Sequence, residues 1–269
     1  MKKYSNRLKN FSGDKKLNFF QKIIWLIISF INIKVNGKID KKITVKKFNI
    51  NKSLITKNDI FKSKSPIRLV CNTFWQSINW LIIKKKLNNN LKILEVGCGD
   101  GRYYDLIKKI SKIDKINYSG IDIKNNNFRT KKNKFFYLDS AYNVNAYLDK
   151  TNFLFTQSAI EHFKYDLLFF KNISNFLNKT NKKFIQLHLF PSESCLYTYL
   201  FHGYRHYNFK MISELTKYFN KKHRCLLFCI GSKNINKFTL REVTLNRVFK
   251  KTISSLNIKK LKKCVVKDN

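Results

Sequence analysis

From residue 91 onward, short apolar runs alternate with amphipathic stretches in a regular rhythm. Strand-like runs fall at 92–96, 117–121, 134–137, 152–156, 184–189 and 224–230. Between them, apolar residues recur at helical spacing over 103–113, 165–177 and 210–219. A short apolar run bounded by turn residues reads as a buried strand, whereas recurrence at three and four positions marks one face of a helix. Strands that alternate with helices need crossover connections, which predicts an α/β fold: a doubly wound, mostly parallel sheet with helices on both faces. Beyond Gly231 the pattern degrades, and 238–248 fits either a strand or a helix. No internal repeat is visible.

The first ninety residues follow a different pattern and read as a basic extension (1–90) before a main domain at 91–250 and a basic tail at 251–269. Residues 17–33 are strongly apolar. Placed on a helix, Asn18, Gln21, Lys22, Ser29 and Asn32 form one narrow polar stripe with Trp25 among them. A spanning helix needs about 20 mostly apolar residues, and this run is shorter and interrupted by Lys22. A signal peptide is disfavoured, because no small-residue cleavage site precedes the basic stretch at 34–42. Two readings stay open: a helix packed on the domain, or one lying in a membrane interface with flanking lysines at the headgroups. Asn36-Gly37 then reads as a turn and 43–50 as a short strand. Ser65-Pro66 opens a helix over 67–85 that ends before the break at Asn88, Asn89 and Asn90.

Charge changes the picture only in part. The chain of 269 residues carries 55 Lys+Arg against 16 Asp+Glu, a net charge of +39. Clustered cations bind phosphates, so nucleic acid is an open partner. The excess is mainly Lys amid abundant Asn and Ile, however, and Arg, the better reader of bases, is scarce. Compositional bias therefore accounts for the charge better than a dedicated nucleic-acid face does. Anionic membrane surfaces and acidic substrates are favoured by the same charge. Cys71, Cys98, Cys195, Cys225, Cys229 and Cys264 form no CxxC pair and have no His at zinc spacing, which suits a reducing cytosol and predicts no metal site. Cys225 and Cys229 fall on one face of a strand and read as two small buried thiols.

The candidate chemistry sits at 91–101, Leu-Lys-Ile-Leu-Glu-Val-Gly-Cys-Gly-Asp-Gly. Gly97, Gly99 and Gly101 let the backbone turn tightly and leave no side chain between chain and ligand, so an adenosyl group can lie against the loop. Acids close the successive strands. Glu95 precedes the glycines, Asp122 lies about twenty residues beyond the loop, where a carboxylate reaches ribose hydroxyls, and Asp139 follows the third strand, placed to accept from an adenine amino group. A dinucleotide site is disfavoured: the spacing is GxGxG rather than GxGxxG, and Glu95 and Asp100 repel a pyrophosphate. A phosphate-binding loop ending in Lys-Ser/Thr is absent.

Taken together, Ile93 to Gly101, the Gly120-Ile121-Asp122 and Leu138-Asp139-Ser140 strand ends and Ser158-Ala159-Ile160-Glu161-His162 resemble the successive motifs of class I S-adenosylmethionine-dependent methyltransferases. The resemblance covers residues 91–190. It implies a Rossmann-like, seven-stranded sheet and S-adenosyl-L-methionine as cofactor. It places Glu95, Gly97 and Gly99 near the methionine end, Asp122 at the ribose and Asp139 at the adenine. Cys98, Gly101, Ile123, Ser140 and Ser158 join the expected pocket, and Glu161 and His162 stand beside the methyl group. Methyl transfer from a sulfonium is an in-line displacement that chiefly requires alignment of the acceptor. A hydroxyl acceptor also gains from a base near neutral pKa, for which His162 is suited; a structural role in orienting the loop is equally open.

The segment after the fifth strand, within 190–208, is dense in His, Tyr and Arg. With His188 at its entrance, followed by His202, Tyr204, Arg205 and His206, it reads as a recognition loop for a polar or anionic acceptor. It resembles, more loosely, methyltransferases of bacterial surface-glycan synthesis. The expected activity is O-methylation of a small-molecule, saccharide or lipid-linked glycan acceptor, in the cytosol or at the inner face of the membrane. RNA methylation and non-catalytic nucleoside binding remain alternatives. The strand after which the acceptor site opens lacks the Asn/Asp-Pro-Pro-aromatic tetrad of many nucleic-acid enzymes.

Overall fold

A computed structural model of the chain describes residues 17–35, 37–49, 51–54, 66–113, 116–124, 136–199, 205–248 and 263–264. Its centre is a five-stranded sheet of β2 (Lys92–Val96), β3 (Asn117–Asp122), β4 (Phe136–Leu138), β5 (Phe153–Gln157) and β6 (Ile185–Leu189), in the order β4-β3-β2-β5-β6. Every neighbouring pair is parallel. β5 is buried along its whole length and β2 along all but its first residue, as strands covered on both faces must be.

Side-chain alternation splits the core into two layers. Ile93, Tyr118, Phe153 and Phe155 face Trp75, Trp80 and Ile107 on one side. These belong to α2 (Pro66–Ser77), α3 (Trp80–Lys86) and α4 (Arg102–Ser111). Leu94, Val96, Ile121 and Leu154 face the other side. There they meet Phe169 and Ile173 of α6 (Asp166–Lys179), beyond the short α5 (Asn145–Leu148), and Ile212 of α7 (Phe209–Thr216). The helix expected over 67–85 is two helices. The Asn79 side chain accepts from the Ile82 amide and caps α3, and Trp75 and Trp80 stack across the break at 6.1 Å.

A single seven-stranded sheet is not what forms among the described residues. β7 (Cys225–Cys229) leaves the main sheet and pairs in parallel with β1 (Ile43–Lys47), Ile43 opposite Cys225. The extension thereby becomes part of the fold. Nor are both strand thiols buried, because Cys229 is exposed and Cys225 half-buried. The ambiguous 238–248 stretch is helical: α8 (Lys233–Thr239) runs through a π turn at Leu240–Thr244 into α9 (Leu245–Val248).

At the amino side, α1 (Phe19–Lys34) begins with a capping box between Asn18 and Gln21. Trp25 and Ser29 are its buried residues, and Asn208 donates to the Asn32 carbonyl at 2.8 Å. The Trp25, Ser29 and Asn32 part of the polar stripe thus turns toward the protein, while Asn18 and Gln21 are exposed. No described helix is long and apolar enough to cross a membrane.

Candidate functional site

In the order β4-β3-β2-β5-β6 the chain reverses direction of progress between β2 and β5. At such a switch point the loops leaving two adjacent strands part in opposite directions, and a crevice opens at their carboxyl ends. The glycine loop leaves β2 here, and Ser158 to His162 leave β5 beside it.

The glycines have separate jobs. Gly97, Gly99 and Gly101 all have positive φ, at 76°, 56° and 74°. A Cβ on Gly97 would lie 2.5 Å from the Ala159 Cβ, so the absent side chain lets the two loops touch across the switch point. A Cβ on Gly101 would lie 2.6 Å from the Phe136 ring. At Gly99 a Cβ would meet nothing within 4 Å, so its left-handed backbone borders open space. The Gly99 amide donates to Asp122 Oδ2 at 2.7 Å, and the Lys124 amide donates to Oδ1 of the same carboxylate at 3.0 Å. Loop and acid therefore form one unit. Ile123, directly after it, is 58% exposed, and Leu138 on the adjacent strand is 66% exposed. Two apolar side chains presented beside a polar loop make an edge suited to a flat heterocycle.

Asp139 continues the β3–β4 ladder, its amide donating to the Asp122 carbonyl at 2.9 Å. Its carboxylate already accepts from the Ser140 amide (2.6 Å), Asn143 Nδ2 (2.7 Å) and Tyr147 Oη (2.8 Å). Desolvation raises its pKa, but the Tyr147, Asn143 and Ser140 donors outweigh this and hold it below the ordinary value. Ser140 in turn caps the following turn through Tyr142. Asp139 orders this corner and retains only spare acceptor capacity for a ligand.

Glu95 and Cys98 lie underneath. Glu95 is 1% exposed, and its carboxyl accepts a hydrogen bond from the Tyr118 hydroxyl on β3. Burial pushes its pKa well up, partly offset by that donor. Cys98 is buried, and burial raises its thiol too. Both are floor, not lining. Asp100 is held by Arg102 at 2.9 Å, so the loop is less acidic than its sequence suggests.

On the β5 side, Ser158 has φ 51°, unusual for a residue other than glycine, and is exposed directly after five buried residues. Its amide donates to the Leu189 carbonyl at 2.8 Å, which fixes the strained turn to β6. Glu161 and His162 occupy the 3-10 turn Ile160–His162. Glu161 is buried, its Oε2 without a hydrogen-bond partner, and desolvation pushes its pKa up to about 8. It is an inward, protonated carboxyl. His162, on the same turn, is half-buried.

The acceptor residues need correction. His188 lies 3.0 Å from Thr156 Oγ1 and packs edge-on against Phe169 and Phe170 beneath α6; burial pushes its pKa down to about 3. Arg205 is buried and spends its guanidinium on this chain's own groups. It pairs with Asp166 at 3.3 Å and donates to the Phe163 and Lys164 carbonyls. Tyr207 Oη lies 2.9 Å from the same Asp166 carboxylate and 3.1 Å from the Ile160 carbonyl. His206 is buried against Trp25, ring centroids 5.7 Å apart, and burial lowers its pKa to about 3. His202 and Tyr204 lie outside the described residues. Arg205, Asp166 and Tyr207 thus clamp the loop after β5 to the segment after β6.

An aromatic rim went unread in the sequence. Tyr142 and Tyr165 pair at 5.7 Å, the Tyr165 amide donating to the Tyr142 hydroxyl at 2.9 Å, and Tyr137 pairs with Tyr147 at 5.7 Å. Comparison of the chain with protein-family models, with curated proteins and with solved structures yields no match.

Proposed function

We propose that this protein is an S-adenosyl-L-methionine-dependent methyltransferase with a Rossmann-like fold that O-methylates a saccharide or a lipid-linked glycan precursor at the cytosolic face of a membrane. The observation that carries the reading is the Gly99–Asp122 unit at the switch point, with open space over Gly99 and apolar Ile123 and Leu138 beside it. The residues fit such a cofactor: a cationic ligand suits a crevice whose nearest charges include Asp122, and a flat base suits the exposed apolar edge.

When bound, the sulfonium supplies an activated methyl group. Asp122 accepts from the ribose hydroxyls with the lone pairs left by its backbone donors. The open space over Gly99 would take the methionine portion without a side chain in the way. Ser158, projecting from β5, borders the transfer position. His162 takes the acceptor's hydroxyl proton, since Glu161 is protonated and faces inward. Tyr142 and Tyr165 offer a stacking surface for a sugar ring.

Titration calorimetry of the full chain with S-adenosylmethionine, and with its demethylated product, tests the reading. Saturable binding of both supports it, and absence of heat with either rejects it. Mass spectrometry of glycan extracts incubated with enzyme and cofactor then looks for gain of one CH₂; methylated nucleosides from added RNA would reassign the acceptor.

A further inference from the structure

We infer that the outward face of α1 docks this protein onto an anionic lipid bilayer. The inference does not rest on the proposed activity. In a water-soluble domain an amphipathic helix turns its apolar side inward. Here most of the apolar side is left outside. Trp25 is fully buried against His206, Ser29 is buried, and Leu17 and Trp25 pack with Leu26 and Ile33 on Leu196, so α1 sits on the protein through this side, with Asn18 and Gln21 exposed at its first turn. Phe20, Ile23, Ile24, Ile27, Phe30 and Ile31 face outward, Phe20 at 76% exposure. At helical spacing these positions form one continuous band along α1.

Charge selects the occupant. α1 carries no acidic residue, and the Lys34 ammonium lies over the Phe30 ring at 5.4 Å, a cation at the end of the apolar band. The sequence just before the helix holds Lys2, Lys3, Arg7, Lys9, Lys15 and Lys16 against Asp14, in a chain of net charge +39. A basic segment beside an apolar helical band is the pairing that anionic bilayers attract, lysines to headgroups and isoleucines to the acyl boundary. A second copy fits poorly. Two chains of +39 repel. A 16-residue helix is about 24 Å long, and one such band covers on the order of 250–500 Å², short of the roughly 800 Å² per partner of a stable interface. Docked this way, α1 lies in the membrane plane and holds the segment around His206 to Asn208 close to the lipid surface.

Vesicle co-sedimentation of the full chain tests this, with phosphatidylcholine alone and with an equal mixture of phosphatidylcholine and phosphatidylglycerol. The wild type should pellet with the mixed vesicles. The triple variant Ile23→Gln, Ile27→Gln, Ile31→Gln keeps the charge and alters only exposed positions. It should melt like the wild type yet bind roughly tenfold more weakly or worse. A Phe20→Trp variant should add blue-shifted emission on vesicle addition. Wild type left in the supernatant overturns the inference, as does a triple variant that binds unchanged through charge alone. Concentration-dependent dimers abolished by the triple variant would show a second copy on this face and overturn it equally.

Discussion

The backbone N–H of Gly99 and the carboxylate of Asp122, 2.7 Å apart, tie the loop after β2 to the end of β3. Removing the acid therefore does two things: it deletes the expected ribose acceptor and frees the loop. Asp122→Ala should weaken S-adenosylmethionine binding by about 1.5–3 kcal/mol, the scale of hydrogen bonds to a charged group. Calorimetry that finds unchanged affinity removes Asp122 from the site.

Gly97 and Gly99 share a left-handed backbone but not surroundings. Gly99→Ala should lower stability by only about 1 kcal/mol, since its Cβ meets open space, while occupying ligand room and abolishing cofactor binding. Gly97→Ala forces a Cβ to 2.5 Å from Ala159 and should cost about 3 kcal/mol or more. Thermal melts with and without ligand separate the two effects. Equal melting losses would show that Gly99 borders no open space.

The buried Arg205–Asp166 pair should be strongly asymmetric under mutation. Arg205→Met alone leaves the Asp166 charge buried and should cost about 3–5 kcal/mol, and the double change Arg205→Met, Asp166→Leu should recover much of that. Denaturant melts of the cycle measure the coupling. Additive losses would refute the clamp.

Stability against pH follows from four buried groups. Glu161 stays protonated in the fold up to about pH 8 but ionises near 4.5 when unfolded, so it makes stability fall as pH rises through that window, and Glu95 acts in the same direction. His188 and His206 stay neutral down to about pH 3 but protonate near 6.5 when unfolded, so they make stability fall as pH drops through that window. The slopes oppose between 4.5 and 6.5, which places maximum stability at mildly acidic pH. Glu161→Gln should flatten the alkaline limb by about 1.4 kcal/mol per pH unit. Melting temperatures at several pH values test this; a variant with the wild-type alkaline slope would show that Glu161 ionises freely.

What the sequence revealed and what it hid have a common physical cause. Periodicity reports whether a residue lies on a buried face, so β2 to β6, α4 and α6 were legible to within a residue or two. It does not report which element covers that face. Arg205 was expected to bind an anionic acceptor, yet its partners are Phe163, Lys164 and Asp166, about forty positions earlier. The polar stripe with Trp25 was visible, but the inward direction of its Trp25 part depends on His206 and Leu196. β7 and β1 both read as strands in the sequence, but their pairing did not, because parallel pairing across such a distance leaves no local trace.

The reach of those contacts bears on how the molecule is made. α1 gains its seat only when Leu196, His206 and Asn208 exist, and β1 gains its neighbour only with β7. A ribosome adding about 5–20 residues per second leaves the leading helix without its docking partners for on the order of 10 s. During that interval the nascent chain carries a naked oily segment, and whatever shelters it, whether chaperone or bilayer, meets the polypeptide before the crevice between β2 and β5 has formed.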